Sequence, residues 1–71
     1  MSDQLHLLSE RLKALMWEQR LSTKRLAHRA DVGEWTVLRI LRGHDVRLTT
    51  LEKIAAALKT DVASLLKRPA A

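Results

Sequence analysis

Cysteine is absent from this 71-residue chain, which excludes disulfides and thiolate metal sites at once. Two glycines and one proline leave little room for hairpins or long loops. No uninterrupted apolar run exceeds a few residues, far short of the roughly 20 that a membrane-spanning helix needs. Met1 is followed by a polar stretch of mixed charge, not by the basic segment and long apolar run of a secretory leader. A cytoplasmic protein without membrane contact is therefore expected. A chain of this length builds one domain, 1–71, whose modest core supplies a few kcal/mol of net stability.

Charge of one sign is in excess. Thirteen Lys and Arg stand against eight Asp and Glu, a net charge of +5, which suits a polyanionic partner. The basic residues are unevenly placed. Arg20, Lys24, Arg25, Arg29, Arg39, Arg42 and Arg47 share a stretch with only three acids, Asp31, Glu34 and Asp45. The middle of the chain thus carries a surplus of four, and the two ends are close to neutral. A solvated basic face would show the same distribution.

Apolar residues recur at helical spacing. A first helix is expected from about Gln4 to Gln19, with Leu5, Leu8, Leu12 and Leu15 as its stripe, Met16 beside it, and Ser2 or Asp3 as cap. A second follows Ser22 as N-cap and reaches Ala30, with Leu26, Ala27 and Ala30 inward. A third follows Gly33 and reaches about Arg42. Val37, Ile40 and Leu41 are its inner face, and Gly43 supplies a left-handed ending. A fourth opens on Thr49-Thr50-Leu51-Glu52, the pattern of a capping box, with Leu51, Ile54, Ala55 and Leu58 inward. A short fifth follows Asp61, with Val62, Leu65 and Leu66 inward, and residues 68–71 form a frayed tail. Five short helices with tight connections make an all-α bundle that packing, not helix propensity, must hold.

Catalytic chemistry finds no foothold in this pattern. His6, His28 and His44 fall on different elements, and no pair has metal-ligand spacing on one helix face. Ser9, Ser22 and Ser64 lack a nucleophile elbow. There is no phosphate-cradling glycine loop and no evident carboxylate pair. Neither an enzyme nor a cofactor is expected.

The informative segment is the joint at Asp31-Val32-Gly33. A two-turn helix, a connection of about three residues and an immediate second helix is the helix-turn-helix arrangement, with the two helices set at roughly 90–120°. Ala27 is small where the helices cross, and Asp31 falls where the backbone should turn left-handed, which Asp tolerates better than most residues. Val32, Val37 and Ile40 hold the second helix to the core. The string Leu26-Ala27, Val32, Thr36-Val37, Arg39-Ile40 and Arg42-Gly43, followed by Thr50-Leu51-Glu52-Lys53-Ile54-Ala55-Ala56-Ala57-Leu58, resembles the phage repressor and Cro-type (XRE-like) helix-turn-helix family. The resemblance runs without a gap from Leu12 to Leu66. It implies a lambda-repressor-like DNA-binding domain.

The sequence also departs from that family. Thr23 stands where Gln is common, Asp31 where the turn commonly has Gly, and Lys59 where Gly often follows the fourth helix, at some backbone cost. Many members pair an Arg late in the first helix with a Glu late in the third. The matching positions here are Met16 and Leu41. Replacing both ionic partners by apolar groups avoids stranding a charge, so Leu41 is expected to pack against Met16.

On the third helix, Trp35, Leu38, Arg39 and Arg42 point outward, the face that would enter a major groove. The resemblance places Gly33, Glu34, Trp35, Leu38 and Arg39 at base-contacting positions. Arg39 suits guanine and Glu34 cytosine N4, while Trp35 and Leu38 offer only apolar contact. Phosphate contacts are expected from helix starts and basic loops: Thr23, Lys24, Thr36, Arg42, His44, Arg47 and Thr49, the last most simply a cap. An exposed Trp and Leu equally suit a protein interface, and Trp35 equally suits folding over a neighbouring side chain. Trp17 suits helix packing or a rim contact. The expected partners are double-stranded DNA and a second copy meeting through the fifth helix, with Leu66 a candidate. A toxin or other regulator is the alternative partner, in an antitoxin or in a module that kept the fold for protein contacts.

Overall fold

A computed structural model describes residues 3–66, with side chains from Leu5 onward. Five helices follow in order: α1 Asp3–Glu18, α2 Thr23–Ala30, α3 Glu34–Leu41, α4 Leu48–Ala57 and α5 Val62–Leu66. No strand occurs among the described residues. The proposed cap Ser2, the side chain of Asp3 and the tail 68–71 lie outside what is described. Among the described residues, no helix is long and apolar enough to cross a membrane.

The inward stripes meet in one core. Leu8, Leu12, Leu26, Val37, Ile40, Ile54, Leu58 and Leu65 are its fully buried side chains. Leu15, Val32, Leu41, Val46, Val62 and Leu66 pack against it half-buried. Packing α2 against α3 and α4, and α1 against α3 and α5, draws all five elements into that core. Apolar area removed from water stabilises by about 25 cal/mol per Å2, and helices of eight residues depend on it.

Four of the helices end the same way. Arg20, Asp31, Gly43 and Lys59 have positive φ of 54°, 58°, 84° and 59°. Immediately after each, an amide reaches back over the helix end: Leu21 to the Met16 carbonyl, Val32 to Ala27, His44 to Arg39 and Thr60 to Ala55. These are Schellman endings, which satisfy carbonyls that the helix leaves free. The left-handed turns at Asp31 and Gly43 are as the sequence predicts. The one at Lys59 stands where the family often has glycine, and the one at Arg20 has no glycine, Asn or Asp to signal it.

Side chains bridge two of these ends to α1. The Ser9 hydroxyl, buried, donates to the Leu41 carbonyl at 2.6 Å, and Gln19 Nε2 donates to the Leu58 carbonyl at 2.8 Å. At the starts, Ser22 caps α2 by accepting from the Arg25 amide at 3.1 Å. Asp61 accepts from the Ser64 amide at 2.7 Å, and that bond, with a second from the Ser64 side chain, holds the Asp61 carboxyl below its ordinary range.

Helix α4 corrects one expectation. Its N-cap is Arg47, not Thr49, and the helix begins at Leu48. Thr49 therefore lies within the first turn and caps nothing. Val46, half-buried, and Leu51, buried, occupy the N′ and N4 positions of a hydrophobic staple. Both side chains go to the core, and the helix starts between them at Leu48 with no threonine cap. The helix α3 ends at the expected place, with Arg42 as its C-cap.

Candidate nucleic-acid interface

The connection between α2 and α3 is three residues, and each has a local reason. Asp31 turns left-handed, Val32 returns its side chain to the core, and Gly33 is extended, at φ −71° and ψ 146°, to begin α3. The joint then fixes α3 with Val37 and Ile40 buried and Leu41 half-buried. The remaining face of the helix is turned to solvent.

That outer face carries the residues expected there. Gly33, Glu34, Trp35 and Arg39 are exposed, whereas Leu38 is only half-buried and offers less surface than the sequence suggests. A Cβ added to Gly33 would meet only Thr36 Oγ1, at an ordinary 3.8 Å. The fold itself thus does not require glycine at this helix start. No side-chain hydrogen bond caps α3, and the Thr36 amide is taken by the Gly33 carbonyl at 3.0 Å, which leaves the amides of Glu34 and Trp35 for an outside acceptor. Glu34 in the first turn is favourable to the helix dipole, though its charge opposes a nearby phosphate.

The structure joins two residues that the sequence places in different roles. The Arg42 guanidinium lies over the Trp35 ring, 5.7 Å from its centroid. Trp35 does fold against a neighbour, and the neighbour is a cation. Residues seven apart are not helix-surface neighbours in the way that residues three or four apart are, so the spacing alone gives no signal that pairs them. The stack lays Arg42 back along α3 toward Trp35.

The residues expected to contact phosphates are all at least partly accessible. Lys24 is exposed and Thr23 half-buried in the first turn of α2. Thr36 is half-buried, and Arg42, His44, Arg47 and Thr49 are exposed. Arg47 is the N-cap of α4, which has no side-chain cap and no acid in its first turn. Leu66 is half-buried and packed against the core, so little of it remains for a partner. The pair Met16 and Leu41 line one groove, Met16 buried and Leu41 half-buried, as the replacement of both ionic partners implies. Among the described residues, no group of three or more His, Asp or Glu is placed to hold a metal ion.

Residues 11–71 match the Cro/C1-type HTH DNA-binding domain, and the chain belongs to that family. No curated protein and no solved structure matches it.

Proposed function

We propose that this Cro/C1-type domain is a sequence-specific regulator of double-stranded DNA in the cytoplasm, reading the major groove with the outer face of α3. The observation that carries this reading is the arrangement on that face: exposed Arg39, the Arg42–Trp35 stack and an uncapped helix start at Gly33. Arg39 is the base-reading residue, paired bidentately to guanine. Glu34 accepts from cytosine N4. Trp35 and Leu38 supply apolar contact, and Gly33 lets the backbone come close. Thr23, Lys24, Thr36, Arg42, His44, Arg47 and Thr49 hold the phosphates on either side. One such domain buries little DNA, so a homodimer on a two-fold operator is the working unit.

The test is selection of duplexes from a random pool, followed by salt titration of binding. Arg39→Ala should lose preference at one base position and weaken the selected site about tenfold or more. Lys24→Ala should weaken all sequences alike and reduce the salt slope by about one unit. A chain that binds no duplex at low salt overturns the reading. It would equally overturn an antitoxin that binds both operator and toxin, and would favour a helix-turn-helix module that kept the fold for protein contact alone, for which 63 % exposed Trp35 is the supporting observation.

A further inference from the structure

A groove of ≈ 740 Å3 lies at the C-terminal end of α1, and none of the proposed base-reading residues lines it. Its floor is apolar, made of Met16, Leu21 and Leu41, and its rim bears Lys13, Glu18 and Arg20. Trp17 forms one wall and is 85 % exposed, the highest value among the large apolar side chains described. The α1 core stripe does not need it: Leu8, Leu12 and Met16 already fill that role. An indole left in water forgoes the burial of a large apolar surface.

We infer that this groove is a contact between two copies of the chain, each inserting Trp17 into the groove of the other. A projecting aromatic beside an open apolar floor is self-complementary across a two-fold axis, where one patch serves as both knob and hole. The rim charges decide the occupant. A purely acidic segment would meet Glu18, and a purely basic one would meet Lys13 and Arg20. A second copy brings both signs and pairs Glu18 with the cations opposite. The double loss of the family's ionic pair at Met16 and Leu41 is what makes the floor apolar. The patch is small beside the roughly 1,200 Å2 of standard interfaces, so the pairing is weak in free solution, and it leaves the proposed base-reading residues of α3 uncovered. It does not depend on DNA binding.

Sedimentation velocity of the full chain without DNA, from about 10 μM to about 1 mM, tests it. The expected result is a concentration-dependent monomer–dimer equilibrium. Trp17→Ala weakens it at least about tenfold, with the unfolding temperature of the monomer unchanged because the side chain is exposed. Lys13→Glu and Glu18→Lys each weaken it, and the double swap, which restores both signs to the rim, recovers it. A chain that is monomeric throughout overturns the inference. So does a dimer indifferent to Trp17→Ala, which would place the contact elsewhere, for example at α5 with Leu66. A swap that fails to recover association overturns the two-fold pairing. Binding of the Trp17→Ala chain to a single half-site, measured in parallel, reports on DNA recognition separately.

Discussion

The chain has two tryptophans, and both are exposed, but their surroundings differ. Trp35 lies on α3 beneath the Arg42 guanidinium, on a face that also bears Arg39 and Glu34. Trp17 lies on α1 beside an apolar floor of Met16, Leu21 and Leu41. Exposure of an aromatic is therefore not one signal. An indole in a cationic neighbourhood holds a charge in place. An indole next to an open apolar floor is a contact lacking its other half.

The comparison breaks most sharply at Leu41, which ends α3 and also lines the groove beside Trp17. Leu41→Glu restores one half of the family's ionic pair and leaves a carboxylate against Met16. We expect a loss of about 1–3 kcal/mol, a fall in Tm of at least ~5 °C. Adding Met16→Arg should recover most of it. A single variant that melts within ~2 °C of the parent would show that Leu41 does not belong to the apolar floor.

Next in size is the backbone that follows each tryptophan. Left-handed geometry costs a non-glycine residue about 1–2 kcal/mol. The turn after Trp17 carries this cost at Arg20, whereas the turn after Trp35 avoids it with Gly43. Arg20→Gly should raise Tm by roughly 4–8 °C, and Gly43→Ala should lower it by a similar amount. A Cβ at Gly43 meets nothing within 4 Å, so the second effect is purely conformational. Equal melting of all three chains would remove the distinction.

The stack itself is a smaller term. A thermal double-mutant cycle of Trp35→Ala and Arg42→Ala should show a coupling of about 0.5–1 kcal/mol. Trp17→Ala combined with Arg42→Ala should show none, and a coupling there would undo the contrast between the two indoles.

The smallest effect lies outside both faces, at Asp61. Its folded carboxyl is held below the ordinary value of 3.8 by Ser64. The stability it contributes is therefore complete above that value and is lost as the pH falls through the lowered folded one. Asp61→Asn should flatten the acid-side decline of Tm, and an unchanged acid limb would show that the cap is not formed.

Much of the fold was legible because its signals are local. Ser22 and Asp31 bound α2 by their own capping and left-handed preferences, and the spacing of Leu26, Val37 and Ile40 puts them inside. The start of α4 was not legible. Thr49 and Thr50 read as a cap, but the helix begins at Leu48, with Val46 packed against the core. The hydrogen bonds of Ser9 to Leu41 and Gln19 to Leu58 span more than thirty residues, and no periodicity encodes them. In the candidate interface, the residue types and the outward direction of α3 were readable. The stacking of Arg42 on Trp35 and the partial burial of Leu38 were not, because side-chain conformation depends on neighbours that only packing supplies.

By itself the sequence determined five helices, the α2–α3 joint and the inward stripes, since periodicity and capping act within a few residues. Tertiary structure alone decided that Arg20 turns left-handed, that Ser9 reaches the end of α3, and that one tryptophan is stacked while the other stands open. Those outcomes depend on which distant surfaces meet once the apolar stripes are buried.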